Sequence, residues 1–367
     1  MQFLERLTQV PSASWYAVRG DWEGRIVRYV VSTPPSRDIC NRPEVLGVEF
    51  NLKLQDAMAA AFGTAPFRRL IEEHPEDRVC VVNFLRGGLN FEIRRALQTA
   101  YGFNRHSSAF MSSQRYREDG RWYVKEDMYR KLEIPSDAVL VMGDVVATGV
   151  TMENGLKVIL EHISDLGSSI RALVFFTIGC HKAEKVLEEV DAEARERFPG
   201  YQKTILVYLE GKFRLVDSKT ELRIGIPGTD LIRKDALLAP ELERSMYQSV
   251  PYFLERCAIY DAGSRAFDIP TYLGDVIEYW TKVAKLSEGG FTLGEAIEER
   301  WPPHHRWFEA KRAQWHGLDD AFLEDQHARW NKLLAREDLG TPEALAEVCR
   351  ERLDTLRKVG GIVREDR

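Results

Sequence analysis

The sequence predicts an α/β protein with a largely parallel sheet flanked by helices, followed by a mainly helical C-terminal region. Two observations support this prediction. Between about residues 75 and 215, four short apolar runs alternate with helical patterns. Continuous apolar strands that alternate with helices are typical of a parallel sheet covered on both faces. From about Glu241 onward the pattern is mainly helical, with breaks at FDIP, SEGG and WPPHH.

The chain has 367 residues, which suits two domains or one large, elaborated domain. The changes of pattern predict three segments. Residues 1–74 form a mixed segment that belongs to the core or to a hood, and residues 75–215 form the α/β core. Residues 216–367 hold a strand and a turn, then the helical region.

Composition excludes several classes of protein. The formal net charge is -6 and the pI is about 5.9, which argues against a general nucleic-acid binder, since such proteins carry a basic face. No apolar run approaches the roughly 18 residues that a membrane span needs. Glu5 and Arg6 interrupt the opening segment, so it does not fit a signal peptide. Five cysteines without a CxxC pair predict reduced thiols in a cytoplasmic protein.

The elements follow in order from these patterns. The first segment predicts a strand near GRIVRYVVS and one or two helices across NLKLQDAMAAAF and FRRLIEEH. The core then predicts strands at DRVCVVNF, DAVLVMGD, RALVFFTIG and KTILVYLE. The helices between them are predicted in LRGGLNFEIRRALQTAYG, VVATGVTMENGLKVILEHISDLG and HKAEKVLEEVDAEARERF.

The helix after Thr151 has its own internal support. Apolar residues recur at the spacing that puts side chains on one helical face, at Leu156, Ile159, Leu160 and Ile163. Gly167 is a typical C-terminal stop, because glycine adopts the left-handed conformation that ends many helices.

The loop after the first core strand contains Arg86, Gly87 and Gly88. In an open parallel sheet, ligands bind beyond the carboxyl ends of the strands. Two glycines let the backbone approach a ligand closely, and the arginine offers a planar charged fork that suits phosphate oxygens. The pattern indicates an anion-binding loop.

The loop after the second core strand is similar in character and opens a helix. It consists of Ala147, Thr148, Gly149, Val150 and Thr151. The unpaired amides and the dipole at a helix N-terminus favour an anion. Thr148 and Thr151 add hydroxyl donors, and Ala147 leaves room.

Asp144 precedes this second loop and does not suit a bare phosphate site. A carboxylate repels phosphate but accepts hydrogen bonds from sugar hydroxyls and attracts a metal ion. The combination indicates a ligand that carries phosphates and a ribose, while an ordinary strand-to-helix turn is the alternative. The chain has no GxxxxGK[ST] and no GxGxxG after a strand, so neither a Walker NTPase nor a dinucleotide fold of that type is indicated.

The stretch GDVVATGVT resembles the 5-phosphoribosyl-1-pyrophosphate (PRPP) signature of type I phosphoribosyltransferases, and FLRGGL resembles their pyrophosphate loop, most like the uracil-type enzymes. The resemblance covers roughly residues 75–210. It implies that residues 147–151 hold the 5-phosphate, that Arg86, Gly87 and Gly88 contact pyrophosphate, and that Asp144 holds ribose hydroxyls. It also implies a magnesium cofactor (Mg2+), held mainly by the ligand, with Asp144 as a candidate protein ligand.

The segment between the two loops, SSAFMSSQRYREDGRWYVKEDMY, predicts a hairpin with EDG at its turn. In the family that it resembles, a mobile hairpin at this place closes over the reaction centre. The resemblance makes four cations of this hairpin candidates for the lid: Arg115, Arg117, Arg121 and Lys125.

Two positions depart from the family pattern. Gly143 stands where the first of two acids is usual, which removes one ribose contact. Ala147 stands where 6-oxopurine enzymes carry an aspartate, which leaves uracil-like, adenine-like or unusual acceptors. A further segment, GIPGTD, resembles the base loop of uracil enzymes, although a plain turn is the alternative. Its candidate residues are Ile226, Pro227, Gly228 and Asp230.

These patterns predict a Mg-dependent phosphoribosyltransferase that transfers phosphoribose from PRPP to a nitrogenous small-molecule base and releases pyrophosphate. The rival is a non-catalytic regulator that senses PRPP or a nucleotide, which Gly143 and the C-terminal extension favour. The oligomeric state stays open between a monomer and a homodimer.

Other chemical signals have plainer interpretations. Cys180-His181 predicts a helix start, and His304-His305 predicts a loop. The C-terminal tryptophans, at irregular spacing among charges, predict helix packing. They are Trp301, Trp307, Trp315 and Trp330.

Overall fold

The structure is a computed structural model. It describes residues 1–361 except for 21–23, 119–120, 218, 226–229, 257–261 and 302–306, and between 113 and 128 it describes the backbone alone. None of the helices within these ranges is long and apolar enough to cross a membrane.

Eleven strands of the described residues form one sheet. Their bounds are β1 Phe3–Val10, β2 Ala13–Arg19, β3 Val27–Ser32, β4 Val79–Phe84, β5 Ser107–Glu118, β6 Arg121–Lys131, β7 Ala138–Val146, β8 Ile170–Cys180, β9 Lys203–Leu215, β10 Leu231–Leu238 and β11 Trp315–His316.

Helices flank this sheet and make up most of the C-terminal region. In the first two segments they are α1 Pro34–Asn41, α2 Gly47–Thr64, α3 Arg68–Glu72, α4 Ile93–Tyr101, α5 Val150–Asp165 and α6 His181–Arg197. Those after β10 are α7 Pro240–Met246, α8 Pro251–Leu254, α9 Ala262–Phe267, α10 Ile269–Glu288, α11 Leu293–Arg300, α12 Trp307–Gln314, α13 Asp320–Leu334 and α14 Pro342–Val359.

Six neighbouring strands run parallel in the order β3-β9-β8-β7-β4-β5. Antiparallel strands extend this run at both sides, with β6 beyond β5, and β2 and β1 beyond β3. From β4 the chain crosses to β5 on one side and later returns to β7 on the other. The gap between the ends of β4 and β7 is therefore a topological switch point, where open α/β sheets bind ligands.

Buried apolar side chains form one cluster that runs from Leu4 in β1 to Leu356 in α14. All six residues of β4 are buried, as a strand covered on both faces requires. The predicted apolar face of α5 is buried too. Gly167 has a φ of 59° just after that helix, as the C-terminal stop predicted.

The C-terminal region contacts the sheet through a strand pairing, and it contacts the first helices through hydrogen bonds. β11 pairs in parallel with β1, and the indole of Trp315 donates a hydrogen bond to the carbonyl of Leu238 at 3.0 Å. The fully buried guanidinium of Arg265 donates to the carbonyls of Val45 and Arg42 at 2.8 and 2.7 Å. The four tryptophans are buried, which confirms the packing prediction.

The predicted core strands and helices are confirmed, as are the largely parallel sheet and the mainly helical C-terminal region. The sequence patterns did not predict β1, β2 or α1. Half of β1 is exposed, so its residues lack the apolar alternation of a buried strand. α1 begins with two prolines and is capped by Thr33, which are the local signals of a helix start in this segment.

Candidate functional site

The two predicted loops lie side by side at the switch point. β4 and β7 are adjacent and parallel, with Val82 opposite Met142. The loop at Arg86 follows β4, and Asp144 stands near the end of β7. Neighbouring parallel strands bring their carboxyl ends to the same edge, so the fold joins two segments that are almost 60 residues apart.

Glycine at two positions allows the two loops to lie in direct contact. A Cβ added to Gly87 would lie 2.6 Å from Oδ1 of Asp144, and one on Gly88 would lie 3.1 Å from the carbonyl oxygen of Gly143. The first distance is shorter than real Cβ contacts. Because glycine lacks that atom, the backbone of the first loop can pass against the carboxylate.

The first loop is held on its other side by β5, since the amide of Leu85 donates to the carbonyl of Met111 at 2.7 Å. The peptide bond between Leu85 and Arg86 is cis. Gly87–Phe91 then form a 3-10 turn that leads to α4. The side chain of Arg86 is exposed, so it is available to an anion at this edge.

The second loop turns sharply into α5. Gly149 adopts the left-handed conformation, with a φ of 81°, and no side chain of the described residues caps the helix. The first amides of a helix have no partner within it, and they favour an anion. Thr148 and Thr151 are partly buried beside these amides. Asp144 Oδ1 accepts a hydrogen bond from the amide of Val145 at 2.8 Å, which helps to orient the carboxylate.

The residue that precedes α6, Cys180, is hydrogen-bonded to the second loop. The thiol of Cys180 donates to the carbonyl of Ala147 at 3.2 Å. Burial raises the pKa of Cys180 to about 11, so it is a neutral thiol rather than a nucleophile. His181 is the first residue of α6, which confirms the predicted helix start.

The space beside Gly143 is filled by an aromatic ring. A Cβ on Gly143 would lie 2.5 Å from Cδ1 of Phe91, whose side chain is fully buried. Thr177 is opposite Asp144 in the sheet, and its buried hydroxyl has no partner among the described residues. Sequence patterns gave no reason to place Phe91 or Thr177 here, because both contacts join separate segments.

The predicted hairpin is confirmed at the level of the backbone. β5 and β6 pair antiparallel, with Glu118 opposite Arg121. Residues 119–120 lie outside the described residues, as do the side chains of the four candidate lid cations: Arg115, Arg117, Arg121 and Lys125. Their role in a lid stays a prediction.

The candidate base loop is described only in part. Ile226, Pro227 and Gly228 lie outside the described residues. Asp230 is fully buried, and its two carboxylate oxygens lie 3.1 Å from Arg256 Nε and 2.9 Å from Arg300 Nη1. Burial alone would raise the pKa of Asp230, but these two arginines hold it below its ordinary range. This pairing gives Asp230 a structural role, and its contact with a base stays a prediction.

Within the described part of the chain, no three His, Cys, Asp or Glu side chains lie close enough together to hold a metal ion. Magnesium usually keeps several waters and binds through one or two carboxylates together with substrate phosphates. Asp144, between the two loops, fits that mode of binding, in which the ligand brings most of the donor oxygens.

Several solved structures are similar to parts of this chain, and phosphoribosyltransferases are among them. The AQ2163 protein from Aquifex aeolicus is 17% identical over 50% of this chain and 89% of its own, with a TM-score of 0.35. Adenine phosphoribosyl transferase from Trypanosoma brucei is 10% identical over 57% and 87%, with a TM-score of 0.31. A hypoxanthine-guanine phosphoribosyltransferase from Bacillus anthracis is 17% identical over 35% and 67%, with a TM-score of 0.24.

No protein-family model and no curated protein matches the chain.

Proposed function

We propose that this protein is a Mg-dependent phosphoribosyltransferase, which transfers phosphoribose from PRPP to a nitrogenous base and releases pyrophosphate. The contact between Gly87 and Asp144 carries the proposal. It supports the proposal because the glycine loop after β4 lies against the carboxylate of Asp144 at the switch point, and the uncapped N-terminus of α5 follows β7 at the same edge of the sheet. A ligand with phosphates at both ends of a ribose suits that arrangement.

Each part of the site has a role in binding. The amides at the start of α5 and the hydroxyls of Thr148 and Thr151 hold the 5-phosphate. Arg86 and the backbone of the two glycines hold the pyrophosphate. Asp144 accepts hydrogen bonds from a ribose hydroxyl, which fixes the sugar between the two anion sites.

The reaction is a displacement at the anomeric carbon of the ribose. The bond to the pyrophosphate oxygen breaks and pyrophosphate leaves with the electron pair, while the acceptor nitrogen forms the new bond and loses its proton. The protein contributes by positioning the two reactants and by stabilising the charge that develops on the leaving group. Magnesium, when bound with the pyrophosphate, supplies further positive charge, and Asp144 is the residue that would hold it.

A second function is favoured by the ring of Phe91 against Gly143. This packing excludes the second acid that the resemblance would place on the ribose. A site with a single acid and loops that still bind phosphate suits a regulator that senses PRPP or a nucleotide without turnover.

The release of pyrophosphate from PRPP distinguishes the two functions. The full chain with magnesium should release pyrophosphate in the presence of at least one base from a panel of purines and pyrimidines. Arg86→Gln should reduce that release at least tenfold, while Arg350→Gln, an exposed arginine on α14, should not change it. Calorimetric binding of PRPP without release on any base would support the sensor, and no binding at all would overturn both functions.

A further inference from the structure

A cavity lies beside α2 and α4, and Asp144 is not among its lining residues. It has a volume of about 680 Å³ and is walled by α2, α4, α9 and the turn that precedes α4. Small-molecule sites have volumes of roughly 300 to 1,000 Å³. The cavity is therefore large enough for a ligand with two or three rings.

Part of the cavity lining is apolar and faces solvent. Val48, Leu52 and Phe267 line it, with exposed fractions of 73%, 49% and 50%. Phe103 and Phe110 line the cavity as well. Exposed apolar residues that cluster in a concave surface mark a site for an apolar group.

Another part of the lining carries positive charge. Arg94 and Arg95, both exposed, line it at the start of α4. Arg95 Nε lies 3.5 Å from Glu92, which partly offsets its charge. Arg94 donates from Nε to Nε2 of His106 at 3.3 Å, and among the described residues its terminal nitrogens form no ion pair. These nitrogens can bind an anion.

His106 also lines the cavity and holds Arg94 in place. Because its Nε2 accepts from Arg94, its Nδ1 carries the proton, and that buried nitrogen has no partner among the residues described. Burial and the charge of Arg94 lower the pKa of His106, so the ring is neutral at pH 7.

The walls are held in place without a ligand. The side chain of Asn51 in α2 donates to Oδ1 of Asn90 at 3.1 Å, and Asn90 donates to the carbonyl of Ala262 in α9 at 2.5 Å. Glu92, on the cavity wall, adopts a left-handed conformation with a φ of 48°. This fixed geometry reduces the ordering that binding would require.

We propose that this cavity is a binding site for an amphipathic anion, a molecule that combines an aromatic ring system with one acidic group such as a sulfonate, carboxylate or phosphate. The rings would lie against Leu52 and Phe267, and the acidic group would accept hydrogen bonds from Arg94. The site does not depend on the proposed transferase activity.

Two matched fluorescent probes test the proposal on the full chain. Anilinonaphthalene sulfonate has the rings and the negative charge, and N-phenylnaphthylamine is the same ring system without the sulfonate. We expect the sulfonate to bind at one site per chain and at least tenfold more tightly than the neutral probe. Arg94→Gln should weaken the sulfonate about tenfold, which equals roughly 1.4 kcal/mol, and leave the neutral probe unchanged. Phe267→Ser should weaken both.

Arg350→Gln removes an exposed arginine on α14, far along the chain from this wall, and is the control for total charge. Thermal unfolding of each variant checks that the fold is kept. Equal affinity of the two probes, no binding, or an effect of Arg350→Gln as large as that of Arg94→Gln would each overturn the proposal.

Discussion

The ring of Phe91 occupies the space that a side chain at Gly143 would need. A Cβ on Gly143 would lie 2.5 Å from Cδ1 and 2.6 Å from Cγ of that ring. The 3-10 turn after the first loop is therefore packed directly onto the strand that carries Asp144. A side chain larger than that of glycine at position 143 would displace this ring, so the packing of the turn on the strand accounts for the glycine.

Gly143→Ala should destabilise the protein by about 1–3 kcal/mol, the usual cost of extra atoms in a well-packed interior. Urea unfolding measures this loss. Gly274→Ala is the matched control, because Gly274 lies in α10 with nothing within 4 Å of an added Cβ. That variant should gain about 0.5–1 kcal/mol from helix propensity. Equal effects of the two substitutions would contradict the packing of Phe91 on Gly143.

Asp144→Asn should weaken PRPP binding about tenfold and leave the fold intact. The change removes the negative charge that favours ribose hydroxyls and magnesium, but keeps the oxygen that accepts from the amide of Val145. Calorimetric titration measures the affinity, and Asp165→Asn, at the exposed end of α5, controls for charge. Unchanged affinity for PRPP would remove Asp144 from the site.

Glu210 is a buried carboxylate in the middle of β9. It accepts hydrogen bonds from the hydroxyl of Ser32 at 2.7 Å, from the amide of Thr33 at 2.9 Å and from the hydroxyl of Ser36. Burial raises its pKa to about 7, although Arg37 and these hydrogen bonds act in the opposite direction. It joins β9 to the start of α1.

This pKa predicts that stability falls as pH rises from about 4.5 to 7. In that window the native state still holds the proton on Glu210, while the unfolded chain, with the ordinary value of 4.5, has released it. The stabilisation of the native state by this proton is fully present below the pKa of the unfolded chain and is lost as pH rises through the pKa of the folded state. It amounts to roughly 3 kcal/mol. Urea unfolding measures the free energy of unfolding at each pH. Glu210→Gln should remove that much of its fall between pH 4.5 and 7, whereas Glu161→Gln, on the exposed face of α5, should leave the fall unchanged. An identical pH dependence in wild type and Glu210→Gln would refute the assignment.

Arg352 joins the last helix to the interior. Its guanidinium lies 2.9 Å from the fully buried carboxylate of Glu255 and 3.0 Å from Glu44, and it donates to the carbonyl of Asn41 at 3.1 Å. Arg352→Met should cost about 3–5 kcal/mol, because it leaves a buried carboxylate without its partner. Chemical denaturation measures the loss.

Two further variants make the test of Arg352 specific. Arg350→Met, on the exposed side of the same helix, should change stability by less than about 0.5 kcal/mol. Adding Glu255→Gln to Arg352→Met should recover part of the loss, since the uncompensated charge is then gone. No recovery would show that Arg352 acts through packing alone.

The elements that could be predicted from the sequence are the strands that are buried on both faces and the helices that bury one face. β4, β7, β8 and β9 are buried on both faces, so their apolar runs are continuous, and α5 shows the period of a helix with one buried face. The positions of the two loops were also predictable, because each glycine-containing stretch follows a continuous apolar run and precedes a helical pattern; their role in binding stays a prediction. β1 was not predictable in this way, since half of it is exposed.

The sequence by itself determined the alternation of strands and helices and the residue types of the two loops, because these depend on neighbours within a few positions. Only the tertiary structure decided that Gly87 touches Asp144, that Phe91 fills the space beside Gly143, and that Arg265 and Arg352 tie the C-terminal helices to the first ones. Each of these contacts joins residues far apart in the chain. They follow from the order of strands in the sheet and the close packing of side chains between layers, which local patterns do not specify.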